Sequence, residues 1–323
     1  MRRPLCEDGS VIAPPTARSL VGGIAAAGIG ALAWGTLVEP RLFSLRRYTL
    51  PVLPAGSLPV RVLQVSDIHM VPGQRAKAEW IRGLASLEPD LVVNTGDNLS
   101  HEQAVPVALD ALGPLLERPG VFVMGSNDYY APTPKNPARY LTKDYAKAVA
   151  ERVHLPTDEL REGMASRGWI DLDNARTSLD VGGQRLDLVG VDDPHIERDD
   201  YASVSRPASA GATTIGVAHA PYQRVLDAMT GDGARLVIAG HTHGGQLCVP
   251  GVGALVTNCD LDRKRAKGVS RWWPGAGSSA PAPQDPAWLH VSAGLGASRY
   301  APVRFACRPE ATLMTLVSEE LNR

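Results

Sequence analysis

Five short apolar runs in this chain each end abruptly in residues that bind metals or build turns. They are VRVLQVS before Asp67 and His69, DLVVNTG before Asp97 and Asn98, GVFVMGS before Asn127 and Asp128, TTIGVA before His219, and ARLVIAG before His241 and His243. Runs of this length, apolar on both faces, read as strands of a sheet covered on both sides. AKAEWIRGLASLEP places Trp80, Ile81 and Leu84 at helical spacing and closes at Pro89, so residues 60–96 read as one βαβ unit. ALDALGPLLE is a second helical pattern despite Pro114, and WLHVSAG and ATLMTLVS supply two more strands. The alternation predicts a mixed α/β fold. In such folds the site lies beyond the carboxyl ends of the strands, where these polar residues sit.

Residues two apart on an extended segment point to the same side, so Asp67 and His69 can share one ion. His241 and His243 have the same spacing and can reach two neighbouring ions once the chain turns. Carboxylate, amide and imidazole donors without thiolate suit Mn, Fe or Zn in an open, catalytic site. In LVIAGHTHGGQ, residues 236–246, Gly244 and Gly245 fit where backbone passes close to ions and substrate. Asp192, Asp193 and His195, in GVDDPH, are further candidates for completing the site. His101, His154 and His290 read as structural or surface histidines, and Asn98 as a turn former.

In this order, Asp67-Ile68-His69, Gly96-Asp97, Gly125-Ser126-Asn127-Asp128, His219 and Gly240-His241-Thr242-His243 resemble the calcineurin-like metallophosphoesterase superfamily. The family pattern is D-x-H, G-D, G-N-H, a lone H, then G-H-x-H, and the resemblance spans roughly residues 60 to 310. GHTHGGQ after an N-terminal apolar segment looks most like the bacterial membrane-associated branch. The resemblance implies a four-layer α/β/β/α sandwich and two divalent ions, Mn, Fe or Zn. One ion would be held by Asp67, His69 and His243, the other by Asn127, His219 and His241, with Asp97 bridging them. It further implies in-line attack on phosphorus by a hydroxide bridging the ions.

One element departs from the pattern. With Asn127 aligned to the metal-binding asparagine, Asp128 stands where the family has its general-acid histidine. A register anchored on the following Asp-Tyr-Tyr instead puts Ser126 at the asparagine position. In either register the histidine is missing. Asp128 could protonate a leaving oxygen only with a raised pKa, which favours a substrate with a good leaving group. The expected function is hydrolysis of a phosphodiester or pyrophosphate, including a lipid-linked substrate such as a UDP-diacylglucosamine-like molecule. Two alternatives stand beside it: a membrane-tethered metal-binding scaffold with little catalysis, and a phosphoprotein phosphatase, which needs an open shallow groove.

Composition narrows the partners. The 323 residues are 44% hydrophobic and 21% charged, as in an ordinary folded protein. A net charge of −1 gives no reason to expect nucleic acid. Cys6, Cys248, Cys259 and Cys307 form no CxxC pair; they read as free thiols, with a Cys248–Cys259 bridge left open.

Residues 20–38, LVGGIAAAGIGALAWGTLV, carry no charge and are about long enough to cross a bilayer. Arginines on both sides leave the orientation open. Three readings compete: a transmembrane anchor, a signal peptide cleaved after Ala31-Leu32-Ala33, and a glycine-rich helix packed on the body. They imply membrane-associated, exported and cytoplasmic locations in turn. Residues 1–48 are set apart as an N-terminal segment, and LPVLPAGSLP reads as a linker, so the folded domain is expected to begin near Val60 and to span 59–318. Within it, 129–175 reads as a cap or insertion and 270–286 as a loop with little reason to be ordered. The basic DRKRAKG, residues 262–268, next to Trp272 and Trp273, suggests contact with an anionic lipid surface.

Overall fold

The computed structural model describes residues 26–133 and 152–319. Two six-stranded sheets make up the body. The first has the order β1 (Ser44–Leu53), β14 (Glu310–Ser318), β2 (Val60–Val65), β3 (Leu91–Asn94), β4 (Gly120–Phe122) and β5 (Ile170–Asp171). The second runs β12 (Gly268–Trp272), β13 (Ala287–Val291), β9 (Leu236–Ala239), β8 (Thr213–Ala218), β7 (Gln184–Gly190) and β6 (Ala175–Val181). A two-stranded hairpin, β10 (Cys248–Val249) and β11 (Gly253–Ala254), stands apart from both. The central strands β2, β3 and β4 pair in parallel, as do β7, β8, β9 and β13.

Alternation along the strands builds the layers. Val62, Val93, Val121 and Leu316 of the first sheet share one core with Leu188, Val217, Leu236 and Ile238 of the second. The opposite face of the first sheet (Leu63, Val65, Val92, Phe122) is covered by helices α2 (Arg75–Gly83), α3 (Val105–Leu112) and α5 (Thr157–Ala165). Val237, Leu289 and Val291 of the second sheet pack against α6 (Gln223–Gly231). Each such side chain taken fully from water contributes about 1.5–3 kcal/mol. Between the sheets Gln64 is buried; it donates to Thr95 Oγ1 and the Ala239 carbonyl and meets His290 Nδ1 at 2.6 Å. These bonds tie the strand ends of the two sheets together just below the site.

Several boundaries differ from the sequence reading. The body does not start near Val60: Ser44–Leu53 pairs in parallel with β14 along its length. It is an edge strand, where Pro51 is tolerated, and its arginines and prolines disguise it as linker. The second predicted helix stops at Leu112, before Gly113 and Pro114, because proline cannot continue the backbone ladder. Residues 134–151 of the expected insertion lie outside the described residues. Of the remainder, α5 covers the first sheet and β5 extends it, so this part belongs to the core architecture. The loop expected at 270–286 starts inside β12, where Trp272 is buried and its indole donates to Asp227. Arg265 lies over the Trp272 and Trp273 rings; Trp272, being buried, does not offer the lipid contact expected of it, and Trp273 is half-buried.

Residues 20–25 of the uncharged segment lie outside the described residues, and residues 26–33 form helix α1, followed by a π turn at Trp34–Val38. No helix among the described residues is long and apolar enough to cross a membrane. Cys248, Cys259 and Cys307 are free thiols. The thiol partner of Cys248 is Cys307, not Cys259: both donate to the Gly244 carbonyl, at 3.2 and 3.6 Å.

Candidate metal centre

The proposed ligands meet at one end of the sandwich, beyond β2, β3, β4, β8 and β9. Asp67, His69, Asp97 and His243 bring one donor atom each to within 4.8 Å of one another. His69 Nε2 and His243 Nε2 are 3.1 Å apart, His69 Nε2 lies 3.4 Å from Asp97 Oδ2, and His243 Nε2 lies 3.6 Å from Asp67 Oδ1. Beside this cluster, His241 Nδ1 is 3.3 Å from His219 Nε2, which is 3.6 Å from Asp97 Oδ1. Neighbouring ligands about 2.1 Å from a shared ion lie roughly 3.0–3.4 Å apart; the 3.1, 3.3 and 3.4 Å separations fall in that range and the two of 3.6 Å lie slightly beyond it. Asp97 faces both clusters, one oxygen to each.

The outer nitrogens of the imidazoles fix the inner ones. His69 Nδ1 meets Ser100 Oγ at 3.0 Å, His219 Nδ1 the Thr95 carbonyl at 2.7 Å, His241 Nε2 the Asn258 carbonyl at 3.1 Å and His243 Nδ1 the Gly296 carbonyl at 3.2 Å. A nitrogen that donates to a carbonyl leaves the inward lone pair free for a cation. This holds most clearly for His219, whereas the Ser100 hydroxyl can donate or accept, and Arg304 Nη2 and Asn258 Nδ2 also approach His243 Nδ1 and His241 Nε2, at 3.3 and 3.4 Å. His241 uses Nδ1 inward where the others use Nε2, because its outer acceptor lies on the Asn258 side.

Backbone strain accompanies this convergence. Asp67, His69, Asp97, His241 and His243 all have positive φ, between 46° and 70°. Non-glycine residues in this region cost on the order of 1 kcal/mol or more each and cluster where surrounding structure enforces them. The expectation of an extended D-x-H segment is therefore corrected: both residues reach the site from tight left-handed turns. Close approach also excludes side chains at Gly240, where a Cβ would lie 2.1 Å from Ser66 Oγ and 2.6 Å from Asp67 Oδ2. Gly244, at φ 62°, would bring a Cβ to 2.7 Å from Cys307 Sγ. Of the glycines around the two histidines, Gly240 is packed against the candidate ligand Asp67, whereas Gly244 and Gly245 meet Cys307 and Ala254 rather than the ions and substrate expected of them.

Electrostatics match a cation site. Burial pushes the Asp67 carboxyl up to about 6 against the pull of His219. Burial lowers His69 to about 4, and holds His241 and His243 well below the ordinary histidine range. Burial opposes charge on His219, but Asp97 and Asp193 outweigh it and lift the imidazole to about 9. Burial likewise opposes charge on Asp97, yet His219 and His69 hold it below the usual carboxylate range. Without ions, one histidine must supply the positive charge that the buried carboxylates demand. The donor set thus fits divalent ions, with His219 neutral once they are bound.

Asn127 is brought to the site, but its Nδ2 and backbone nitrogen both donate to Asp97, each at 2.7 Å. As it lies, the amide presents a donor rather than a ligand oxygen. Asp128 does not join the cluster as an acid would. Its carboxylate accepts from the backbone nitrogens of Asn98, Leu99 and Gly125 and from Asn98 Nδ2. It clamps the short helix α4 (Ser126–Tyr129) onto the loop after β3. Burial, then Asp97, raises it to about 7, but four donors leave its oxygens no geometry for passing on a proton. His195 sits at the edge of the second cluster, its ring 4.4 Å from that of His241, with Nδ1 3.1 Å from the Tyr222 hydroxyl. Asp192 is turned away, accepting from Tyr129 and Arg198. Gln246 donates to the Ala301 carbonyl. His290 is structural, buried between the sheets.

Supporting groups escaped the sequence reading. Ser100 and Asn258 orient ligands, Lys77 Nζ donates to the Ile68 carbonyl, and buried Arg304 donates to the Ala293 and Gly294 carbonyls. None sits in a recognisable pattern; only Arg304, a cation within an apolar run of loop, hints at a fixed role.

A fold of two helix-covered sheets with this donor set at the strand ends defines a metal-dependent hydrolase class, and comparison with known proteins assigns it. Residues 60–245 match the calcineurin-like phosphoesterase family, and the chain belongs to that family. It is a metallophosphoesterase, a hydrolase of phosphoric esters. Its relatives include the phosphodiesterase YaeI of Escherichia coli (strain K12), 25% identical over 86% of this chain and 90% of the relative. The metallophosphoesterase YkuE of Bacillus subtilis (strain 168) is 24% identical over 93% of this chain and 94% of its own length. A Bos taurus transmembrane protein with a metallophosphoesterase domain is 29% identical over 64% of this chain and 45% of its own.

Proposed function

We propose that this hydrolase cleaves phosphodiesters or pyrophosphates at a two-ion centre. The observation that carries the reading is Asp97, whose two oxygens face two separate histidine pairs. Asp67, His69 and His243 would hold one ion, and His219, His241 and Asn127 the other. Two such ions, when bound, supply Lewis-acid activation of the phosphoryl group and of water. The protein's own part is to orient the imidazoles through the Ser100 hydroxyl and the Thr95, Asn258 and Gly296 carbonyls, and to keep both carboxylates dry. Asn127 holds Asp97 in place through its backbone nitrogen whichever way its amide is turned.

In this reading the proton donor to the leaving oxygen is His195 and not Asp128. The His195 ring lies against His241 at the site's edge and is oriented by Tyr222, whereas Asp128 is spent on backbone donors. A diester is favoured over a monoester by the phosphodiesterase among the relatives. A lipid-linked diester or pyrophosphate, such as a UDP-diacylglucosamine-like molecule, is the narrower form, with residues 20–38 holding the enzyme at the membrane.

The test uses full-length protein, since a chain begun at residue 50 would cut β1. After chelation and reloading with manganese, turnover of bis(p-nitrophenyl) phosphate is compared with that of p-nitrophenyl phosphate. Metal-restored activity with preference for the diester is expected. Preference for the monoester would overturn the diester reading, and tight metal binding without turnover of either would favour a binding module.

A further inference from the structure

Leu247, Val249, Val252, Leu255 and Val256 are all exposed on one hairpin, β10–β11 and its flanks, and Val252 at its tip is 73% exposed. Isolated exposed apolar residues need no explanation, but a contiguous set does. The hairpin starts five residues after His243, and β10 and its flank lie alongside Phe305 through the Leu247–Phe305 bridge and the Cys248 N to Phe305 O bond. The 304–307 loop is in turn fastened to the N-terminal segment. Arg304 N donates to the Gly35 carbonyl, and the Glu39 carboxylate accepts from Ala306 N, Cys307 N and the Trp34 indole. Ile29, Leu32 and Leu37 of that segment are exposed as well. Hairpin, loop and N-terminal segment therefore form one apolar face.

The exposed charges on this face are of one sign; the carboxylate of Glu39, which lines the same cleft, is buried and taken up by Trp34, Ala306 and Cys307. Residues 26–38, 247–258 and 295–309 contain no aspartate or glutamate, whereas the exposed Arg299 and Arg308 fall within the last of them; Arg304 there is buried. Arg308 and Lys267 are exposed and border the cleft between Trp34, Pro250 and Phe305. Arg46 borders it too and pairs with Glu310. Exposed cations around apolar side chains match an anionic interface with an apolar interior beneath it. Residues 26–38 of the uncharged stretch belong to the same face.

We propose that the β10–β11 hairpin docks this face on an anionic lipid bilayer, with Val249, Val252 and Leu255 entering the headgroup region. The site opens beside it: His243 precedes the hairpin, and its Nδ1 partner, the Gly296 carbonyl, lies on the neighbouring loop. Resting on the function proposed above, the substrate class that follows is a phosphoester whose apolar part stays in the bilayer while its phosphate reaches the ions.

Hydrogen–deuterium exchange of full-length protein decides it, with and without vesicles of phosphatidylcholine containing phosphatidylglycerol. The amides of 247–256 are expected to slow about tenfold or more with vesicles, while those of 197–212 stay unchanged. Unchanged exchange at 247–256 overturns the proposal, even if residues 26–38 become protected. Slowing that rises with protein concentration in the absence of lipid assigns the face to a second copy and also overturns it. Val252→Asp is expected to abolish the vesicle effect. It should also lower cleavage of a vesicle-borne phosphatidyl p-nitrophenyl diester about tenfold and leave bis(p-nitrophenyl) phosphate turnover unchanged; an equal effect on both esters counts against docking. Absence of metal-dependent turnover of the soluble diester in the unaltered protein would instead remove the hydrolase reading, leaving the exchange result to stand by itself.

Discussion

The two halves of the metal centre are built to different standards. In the first, Asp67, His69, Asp97 and His243 are all ionisable groups with oriented inner donor atoms. In the second, His219 and His241 are equally well oriented, but Asn127 turns an N–H toward Asp97. The sequence departs from its family in this half alone, at Gly125-Ser126-Asn127-Asp128. The difference teaches that, on the two-ion proposal, the ions would not bind alike: the first cluster is preorganised, whereas the second would have to turn an amide over or leave a position open.

Replacing the shared group gives the largest effect. Asp97→Ala is expected to lower kcat for the diester on the order of a thousandfold and to remove both ions, read by metal analysis after gel filtration. Loss of one ion only would show that Asp97 does not bridge. Next comes the asymmetry itself. Calorimetric titration of manganese into stripped protein should resolve a tight and a weak step, and Asn127→Ala should weaken only the second, by about 10–100-fold. Equal weakening of both steps would break the comparison.

His195→Gln is expected to slow esters with poor leaving groups about 10²-fold and those with good ones much less. Asp128→Ala should instead lower the unfolding free energy by about 3 kcal/mol through its orphaned backbone donors. A leaving-group dependence in the Asp128 variant and none in the His195 variant would reverse the assignment. Ser100→Ala, which removes the outer partner of His69, should weaken the first step only, by about tenfold.

The last contrast, which leaves activity at neutral pH untouched, sets a histidine of the fold against those of the site. Burial lowers His290 to about 3, from 6.5 in the unfolded chain. The unfolded state therefore binds the proton first as pH falls, and stability is lost between pH 6.5 and 3, by up to about 1.4 kcal/mol per pH unit. His290→Gln should flatten that slope in thermal unfolding, leaving both manganese steps in place. An unaltered slope would place the pH sensitivity elsewhere.

Much of the fold was readable because strand cores and ligand chemistry are local properties. VRVLQVS, DLVVNTG and ARLVIAG are apolar on both faces and had to be buried, and each ends at β2, β3 or β9 much as read. Ser44–Leu53 was not readable: an edge strand is half exposed, and only β14, joining from the far end of the chain, makes it a strand. Trp272 and Trp273 looked available to lipid because nothing near them in sequence shows Asp227 or Arg265 turning toward them.

By itself the sequence determined which donors meet and in what order, since an ion accepts only certain atoms and strand ends share one edge of a sheet. It also determined that the family's histidine is absent. Tertiary structure alone decided which nitrogen of each imidazole faces inward, because the outer acceptors on Ser100, Thr95, Asn258 and Gly296 come from other strand ends and loops. It alone turned Asp128 from a proton donor into a clamp, through backbone donors of the loop after β3. Local patterns encode what a side chain can do, and packing chooses which of its atoms remain free to do it.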